Sequence, residues 1–326
     1  MPDKVSLAHL PTPLWRHDAL DALVGTAVWV KRDDMTAGAE AGNKIRKLEY
    51  LLADARAREA AVVITCGGLQ SNHARATAIC ARQLGLRAVL LLRTAQPSPP
   101  RLDAGNAFLD ALVGAEVRFI TPEQYRTRDA RMAEVAQELE RNGERAYVIP
   151  EGGSSGLGAL GYVDAMSELR AQLDAAADGA PRRFDAVVHA CGSGGTAAGV
   201  ALGAGIHGIA DSTLAMAVCD DRAYFEPLIS RLIAEASALL PGGGTPNALR
   251  VVDGFKGPAY GVPSPEQARF IAQVARNCGL ILDPVYSGKA LYALAAMADK
   301  PARALFIHTG GLPGLLAQTA DLMPFL

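Results

Sequence analysis

Apolar positions along the chain follow two patterns that alternate. Runs of consecutive apolar residues, typical of strands buried on both faces, predict strands at 27–32, 60–68, 87–93, 116–121, 146–150, 185–195, 214–221 and 304–311. Between them, apolar residues recur with helical spacing and predict helices at 49–60, 73–85, 130–143, 164–176 and 264–279. Strands and helices that alternate in this way predict an α/β fold with doubly wound parallel sheets.

Glycine- and proline-rich segments interrupt this pattern. Residues 94–101 (TAQPSPPR) and 241–247 (PGGGTPN) predict surface loops. The glycine-rich stretch 151–162 predicts either a crossing between domains or a turn that lines a cofactor. At 326 residues, the chain has room for about two domains of roughly 150 residues each.

Composition and charge exclude several classes of protein. Apolar residues make up 50% of the chain and charged residues 20%, as in a globular protein. The net charge of −2 provides no field that would hold nucleic acid or an anionic membrane. The chain shows neither a membrane-spanning run nor a signal peptide. Because the 5 cysteines and 6 histidines are widely dispersed, we expect a cytoplasmic protein with reduced thiols and no metal site.

Polar or glycine-rich residues follow three of the predicted strands, at 66–74 (CGGLQSNHA), 191–199 (CGSGGTAAG) and 308–311 (HTGG). Ligands bind at the carboxyl ends of parallel strands, where the next helix presents free N–H groups. The three segments therefore predict one assembled site.

The loop after the apolar segment DAVVHA (185–190) is suited to a phosphate. Its glycines let the backbone approach an anion and its hydroxyls donate hydrogen bonds; these residues are Gly192, Ser193, Gly194, Gly195 and Thr196. The same segment fits the G-x-G-x-x-A pattern that ends at Ala197, and Asp220 or Asp221 could bind a ribose. A dinucleotide site and plain tight packing are therefore alternatives.

Lys44 is a candidate for covalent chemistry. It lies in a Gly-Asn-Lys turn, ahead of a helix predicted to begin near Arg46. The helix dipole and burial both disfavour its charge, which favours a neutral amine able to form a Schiff base. A surface lysine in a basic cluster with Arg46 and Lys47 is the alternative.

Further polar residues crowd the start of the helix at 73–85. A helix needs one N-cap, so four such residues predict a site for a carboxylate: Gln70, Ser71, Asn72 and His73. His73 is expected to hydrogen-bond rather than act as a base. Tyr260 and Tyr286 lie in turns, where each could serve as an acid/base, an aromatic wall or a packing residue.

An ordered series of motifs covers nearly the whole chain, from HLPTPL (9–14) through KRDD, AGNKIRKLEYLLADA, GGLQSNHARATA, YVIPEGGSS, CGSGGTAAG, GPAYGVP and DPVYSGKA to FIHTGG. The series resembles the tryptophan-synthase-β-like (fold type II) pyridoxal-phosphate enzymes, in the branch of D-cysteine desulfhydrase and 1-aminocyclopropane-1-carboxylate deaminase. The resemblance implies a homodimer and two domains: a large cofactor-binding domain of residues 1–49 plus 161–326, and a small domain of residues 50–160.

The resemblance also implies roles for the candidate residues. Lys44 would hold pyridoxal 5'-phosphate as a Schiff base, Asn72 would contact the ring hydroxyl, and residues 192–196 would bind the phosphate. Tyr286 would stack near the ring, with Tyr260 beside it at the substrate. The implied catalytic residues are Lys44, Ser71, Tyr260 and Tyr286; the implied substrate-binding residues are Gln70, Ser71, Asn72 and His73; Ser287 and Thr309 complete the implied cofactor-binding set.

The residue after DPVY indicates the reaction. Ring-opening deaminases of the branch have Glu there, which keeps the pyridine nitrogen protonated, whereas this chain has Ser287. Because a hydroxyl makes the ring a weaker electron sink, the resemblance favours β-elimination, most simply of D-cysteine to pyruvate, ammonia and sulfide. A ring-opening deaminase, an L-cysteate lyase, a non-catalytic amino-acid sensor and an NAD-dependent oxidoreductase are the alternatives. Gly195, Ser264 and the single glycine before Asn43 depart from the family pattern and bear on substrate preference.

Overall fold

The computed structural model describes residues 1–95, 98–176 and 181–326 and contains two sheets. A six-stranded sheet has the order β1-β2-β10-β7-β8-β9, and a four-stranded sheet has the order β5-β4-β3-β6. The strands are β1 (Leu14–Arg16), β2 (Ala27–Lys31), β3 (Val62–Gly68), β4 (Arg87–Arg93), β5 (Glu116–Ile120), β6 (Ala146–Val148), β7 (Phe184–Cys191), β8 (Ala210–Ala217), β9 (Ala248–Val252) and β10 (Arg303–Ile307).

Helices connect the strands, and helices of 12 residues follow β3 and β7, two of the strands that lead into the candidate site. They are α1 (Asp18–Val24), α2 (Asn43–Ala57), α3 (Asn72–Gln83), α4 (Gly105–Leu112), α5 (Pro122–Arg126), α6 (Arg128–Arg141), α7 (Gly156–Asp174), α8 (Gly195–Ile206), α9 (Arg222–Ala238), α10 (Pro265–Cys278), α11 (Ser287–Ala296), α12 (Leu312–Leu316) and α13 (Thr319–Leu322). Short 3-10 turns occur at Asp33–Met35, Glu151–Gly153 and Met323–Phe325.

The predicted α/β fold with parallel sheets is confirmed. Strand pairs in both sheets are parallel, apart from β1, which runs antiparallel to β2 at the edge of the larger sheet. The apolar runs that predicted the strands form their centres: β3 is buried along nearly its whole length, and so is β7. Continuous apolar sequence therefore marks the strands that are covered by helices on both faces.

Several predicted elements need correction. The helix expected at 49–60 begins at Asn43, so Lys44 lies inside its first turn rather than ahead of it. The strand expected at 214–221 is Ala210–Ala217, because its polar first residues pair with β7. The predicted strand at 185–195 ends at Cys191. The strands β1 and β9 are short and half-buried, and their weak apolar patterns did not predict them.

The glycine-rich stretch 151–162 contributes a 3-10 turn and then the start of α7. Helices α2 and α7 pack closely together here, since a Cβ on Gly161 would lie 2.2 Å from the carbonyl oxygen of Arg46. The predicted domain boundaries, 49/50 and 160/161, fall inside these two helices, and the division of the chain stays a prediction.

The loop predicted at 241–247 has no helix or strand. The loop predicted at 94–101 includes residues 96 and 97, which lie outside the described residues. Within the described ranges, no helix is long and apolar enough to cross a membrane.

Candidate active site

The three predicted strand ends meet at one site. A small cavity of about 20 Å³ lies between the starts of α2, α3 and α8 and the end of β10; its lining includes Lys44, Asn72, Tyr286 and Thr309. Lys44, Gly192, Ser193 and Tyr286 also line a cleft of about 520 Å³ that opens beside it. The prediction that these segments assemble into one site therefore agrees with the geometry.

The backbone around the start of α2 places Lys44. Gly42 has a φ of +128°, and a Cβ there would lie 2.9 Å from the carbonyl oxygen of Thr309, so this turn requires glycine. The amide of Asn43 donates to that carbonyl (3.1 Å), and its side-chain amide donates to the Thr196 hydroxyl (3.0 Å). These contacts connect α2 to β10 and to the start of α8.

Lys44 is half-buried and its amine faces the cleft. Burial lowers the pKa of Lys44 to about 8, against the opposing effect of the Glu151 carboxylate. A second amine lies close by: burial and the charge of Lys44 lower the pKa of Lys47 well below its usual value. Its Nζ donates to the Gly152 carbonyl (3.1 Å). Among the described residues, neither amine forms a salt bridge with a carboxylate.

The loop after β7 forms a cradle at the start of α8. Gly194 has a φ of +79°, and the first-turn N–H groups of α8 have no partner within the helix. The Gly195 amide donates to the Ser154 hydroxyl (3.1 Å), which in turn contacts the Ser193 hydroxyl at 2.9 Å. Gly152 closes over the loop, since a Cβ there would lie 2.1 Å from Ser193 Oγ.

These residues fit a phosphate ester bearing an aldehyde. Two amines without carboxylate partners, Lys44 and Lys47, lie beside a helix start that carries partial positive charge. An anion in the cradle would compensate this charge, and the neutral form of Lys44 is the nucleophile that an aldehyde needs.

Asn72, the first residue of α3, has a defined orientation. The Asn106 side chain must present Nδ2 to the carbonyl of Gln70 (3.0 Å), because a carbonyl only accepts. The same Nδ2 donates to Asn72 Oδ1 (3.0 Å). Among the described residues, no acceptor bonds to the side-chain Nδ2 of Asn72, so this nitrogen can donate to a ligand oxygen in the small cavity.

Gln70, predicted to bind substrate, is engaged elsewhere. Its Oε1 accepts from the Asn106 amide (2.8 Å) and its Nε2 donates to the Ala104 carbonyl (3.1 Å). The side chain thus caps the start of α4. Binding of a substrate carboxylate by Gln70 would require it to leave these contacts, and that role stays a prediction.

Ser71 and His73 both line the cleft. Ser71 is the N-cap of α3, and its hydroxyl accepts from the Ala74 amide (3.1 Å). Thr65 donates its hydroxyl hydrogen to the Ile149 carbonyl (2.8 Å), so His73 Nε2, 2.9 Å from the Thr65 oxygen, carries the proton. Burial and the two nearby lysines keep the pKa of His73 well below its usual value. His73 is therefore a neutral hydrogen-bonding residue at neutral pH.

Tyr260 and Tyr286 form a pair across the cleft. Their hydroxyl oxygens are 2.5 Å apart and their rings meet edge to face. Burial raises the pKa of Tyr260 to about 12 and raises that of Tyr286 well above its usual value. Both hydroxyls are therefore protonated at neutral pH, and one hydrogen of the pair is available to a ligand. Tyr286 also packs against Gly192, where a Cβ would lie 3.1 Å from its ring.

Ser287 lies in the interior of the protein. It is fully buried at the start of α11, and its hydroxyl donates to Asp283 Oδ1 (2.5 Å) and accepts from the Asp283 amide (2.9 Å). Asp283 also accepts from the amides of Val285, Tyr286 and Ser287, which holds the turn in place. Contact of Ser287 with a cofactor nitrogen stays a prediction.

Some residues at the site were not singled out in the sequence: Lys47, Ser154, Asn106 and Arg93. Lys47 follows Lys44 by three residues and so lies near it on α2, which a helix starting at Asn43 would have revealed. Ser154 lies in the stretch predicted as a cofactor-lined turn. Asp221, considered as a ribose acid, instead caps α9 by accepting from the Tyr224 amide (3.0 Å).

Comparison with known proteins identifies the family. Residues 5–310 match the family model described as "Pyridoxal-phosphate dependent enzyme". The chain is 42% identical to a bifunctional D-cysteine desulfhydrase/1-aminocyclopropane-1-carboxylate deaminase of Arabidopsis thaliana, covering 98% of this chain and 81% of that protein. It is 37% identical to a D-cysteine desulfhydrase of Yersinia enterocolitica, over 96% and 95% of the two chains.

Comparison of structures agrees with this result. A crystal structure described as an ACC deaminase homologue superposes with a TM-score of 0.88 at 38% identity, covering 100% of this chain and 97% of the other. A serine racemase from Dictyostelium discoideum shares the fold, with a TM-score of 0.62 at 14% identity. Both the predicted cofactor and the predicted fold type II are confirmed, and the dinucleotide alternative is no longer needed. The chain belongs to the pyridoxal-phosphate-dependent enzyme family.

Proposed function

We propose that the protein is a lyase that eliminates the β-substituent of a small amino acid, with D-cysteine converted to pyruvate, ammonia and sulfide. The observation that carries this proposal is the residue after Tyr286: it is Ser287, whose hydroxyl is hydrogen-bonded to Asp283, and no carboxylate occupies that position. Expulsion of a thiolate from Cβ needs a weaker electron sink than opening a carbocycle does.

The cofactor would be held by this chain's own groups. Lys44 would bind its aldehyde, residues 192–196 with Lys47 and Ser154 would hold its phosphate, and Asn72 would donate to its ring hydroxyl. When bound, pyridoxal phosphate supplies the electron sink that lowers the barrier to loss of the Cα proton.

Proton transfers fall to Lys44 and the tyrosine pair. With a pKa of about 8, the Lys44 amine has a neutral fraction at neutral pH and can accept the Cα proton at Nζ. The hydroxyls of Tyr260 and Tyr286 hold protons and can donate one to the departing sulfur. The N-terminus of α3, with Ser71 as its cap, would bind the substrate carboxylate.

A ring-opening deaminase is the second candidate. It is favoured by the relatives, since a Thermotoga maritima protein named a putative 1-aminocyclopropane-1-carboxylate deaminase is 41% identical over 98% of this chain. The two reactions differ in product, because ring opening yields 2-oxobutyrate whereas D-cysteine yields pyruvate and sulfide.

The first experiment records the visible absorption of the purified protein and of Lys44→Ala, with Lys300→Ala as a matched control away from the site. We expect a yellow protein whose band shifts with D-cysteine, with release of sulfide and pyruvate. Lys44→Ala should lose the band and the activity, and Lys300→Ala should keep both. Release of 2-oxobutyrate from aminocyclopropane carboxylate without sulfide from D-cysteine would favour the deaminase instead.

We further propose that the protein is a cytoplasmic homodimer. Five cysteines that form no disulfide are compatible with a reducing compartment. Helices α4 and α12 contact each other and expose Phe108, Leu112, Leu312 and Leu316, which are 46–66% accessible. Light scattering should give twice the chain mass, and Leu112→Glu with Leu316→Glu should give the monomer mass. An unchanged dimer in that variant would place the interface elsewhere.

A further inference from the structure

The outer part of the cleft carries basic side chains that the proposed reaction does not use. Arg93, Arg126 and Arg128 line it together with Glu151 and Asp220. Arg128 pairs with Glu151, its Nε 2.8 Å from Oε2. In the described parts of the chain, Arg93 and Arg126 form no salt bridge with any carboxylate. Arg126 is exposed to solvent, whereas Arg93 is half-buried, so Arg93 is the guanidinium with which a ligand anion in the cleft would pair.

Arg93 is held in a defined place. It ends β4 in register with Gly68 at the end of β3, so it lies at the sheet edge that leads to Ser71. Its guanidinium carbon lies 4.7 Å from the ring centre of Tyr125 and 5.7 Å from that of Tyr260. Aromatic rings contact the flat faces of a guanidinium and leave its N–H edge available to an oxyanion.

Tyr260 lies between Arg93 and the part of the cleft where the reaction would take place. Its ring contacts the Arg93 guanidinium, and its hydroxyl meets that of Tyr286 beside Lys44. Arg93 is therefore about one aromatic ring away from the hydroxyl pair. A leaving group whose anion lies one or two atoms beyond the sulfur would extend from the hydroxyl pair towards Arg93.

The charge of the cleft agrees with a longer substrate. A cysteine side chain, neutral and three heavy atoms from the carboxylate, would leave the half-buried guanidinium of Arg93 without a partner. A cation of this kind favours ligands that bring the opposite charge.

We infer that the cleft selects β-substituted alanines whose leaving group ends in an anion, with Arg93 as the residue that binds that anion. This inference rests on the proposed β-elimination. For S-sulfo-D-cysteine, the Cα proton goes to Lys44 Nζ, the Cβ–S bond breaks, and thiosulfate departs with the bonding electron pair. Water then converts the three-carbon enamine to pyruvate and ammonium, so no oxidant or reductant is needed.

The test compares kcat/KM for S-sulfo-D-cysteine with that for neutral S-methyl-D-cysteine. The wild-type enzyme should prefer the anionic compound at least tenfold. Arg93→Met should lower kcat/KM about 10- to 100-fold for the anionic compound, as a lost charged hydrogen bond does, and less than threefold for the neutral one. Arg93→Lys should recover part of the preference. Arg131→Met, on the exposed face of α6, is the control and should change neither value.

Binding to Lys44→Ala, which cannot turn over, separates this inference from the proposed function. Calorimetry on that variant should show tighter binding of S-sulfo-D-cysteine than of S-methyl-D-cysteine, and the difference should disappear when Arg93→Met is added. Equal affinities would overturn the inference even if D-cysteine is a good substrate. An equal loss with both compounds in Arg93→Met would also overturn it, since it would assign Arg93 to the packing of Tyr125 and Tyr260. If the enzyme clearly prefers the anionic compound but does not act on D-cysteine, the inference about Arg93 stands and only the proposal of D-cysteine as substrate is refuted.

Discussion

Two arginines are buried behind the site, one on each side, and their surroundings differ. Arg46 follows Lys44 on α2, and Arg75 follows Asn72 on α3; each side chain is 1% exposed. Asp33 accepts from Arg46 Nε and Nη2, both at 2.8 Å. Glu168 accepts from Arg46 as well, at 3.0 Å and 3.1 Å. The charge of Arg46 is thus fully compensated.

In the parts of the chain that the structure describes, no carboxylate pairs with Arg75. Its Nη atoms donate to the carbonyls of Ala39 and Ala41, and its Nε has no hydrogen-bond partner among the described residues. Asp110 is the nearby carboxylate, yet both of its oxygens are buried without a hydrogen-bond partner in the same described ranges. Burial lowers the pKa of Arg75 to about 10 and raises that of Asp110 to about 8.

The difference shows how the two sides of the site are held. On the Lys44 side, Tyr162 and Thr12 also donate to Asp33 (2.7 Å and 2.9 Å), so every polar atom of its carboxylate has a partner. On the Asn72 side, protonation keeps Asp110 neutral, and backbone carbonyls rather than a carboxylate accept from the charged Arg75. The first arrangement pairs its buried charges directly, so removing one partner is costly, whereas the second depends on protonation of Asp110.

The largest expected effect is on the free energy of unfolding, which should respond differently to substitution of Asp33 and of Asp110. Asp33→Asn leaves Arg46 buried without its main counter-ion and should cost about 3–5 kcal/mol in the free energy of unfolding. Asp110→Asn replaces a protonated acid with a neutral amide, so it should not lower the free energy of unfolding at pH 6. Urea unfolding of the two holoenzyme variants measures both values. Equal losses in the two variants would contradict the distinction drawn between the clusters.

A second effect is the dependence of stability on pH. The pKa of Asp110 is about 8 in the folded protein and about 3.9 in the unfolded chain. Between these values the folded state retains a proton that the unfolded state has released, so stability falls as pH rises from about 4 to 8. The slope from this group is at most about 1.4 kcal/mol per pH unit.

Asp110→Asn should remove that slope, so the variant should gain stability relative to wild type between pH 5 and pH 8. For Asp33, burial opposes ionisation, but the charge of Arg46 brings the pKa below its usual value. The contribution of Asp33 to the free energy of unfolding is therefore constant above about pH 5, and it is lost only as the pH falls through that lowered pKa. Parallel curves for wild type and Asp110→Asn from pH 5 to 8 would show that Asp110 is already ionised in the folded protein.

Only part of the fold and of the candidate site could be predicted from the sequence. Strands β3, β4 and β7 were predictable because buried parallel strands have continuous apolar sequences. Lys44 and the loop at 192–196 were predictable because both lie in turns with characteristic glycine-containing motifs. Helix α4 was not predicted at all, although Asn106 and Asp110 lie one turn apart on its buried face. A buried polar pair on a short helix breaks the apolar periodicity on which such predictions depend.

Contacts between segments that are distant in the sequence could not be predicted either. Arg46 of α2 lies in one hydrogen-bonded cluster with residues of β2 and α7 and with Thr12. The sequence does not show whether a charged residue is exposed or buried, so this cluster could not be predicted. Tyrosine at 260 and 286 could be singled out, but the 2.5 Å contact of their hydroxyls depends on how two loops fold back on each other.

The smallest effect concerns Asn106, one turn before Asp110, as a positioning residue for Asn72. Asn106→Ala removes the donor that fixes Asn72 Oδ1, so the Asn72 amide can flip and present its oxygen to the cofactor. Loss of about 1 kcal/mol should raise the dissociation constant of pyridoxal phosphate about fivefold. It should also shift the pH at which the visible band titrates. Gln70→Ala is the matched control, because it removes the other side-chain contact to α4 and leaves the Asn106–Asn72 hydrogen bond in place. A titration unchanged in Asn106→Ala, or shifted equally in Gln70→Ala, would mean that Asn106 only holds α4 against α3.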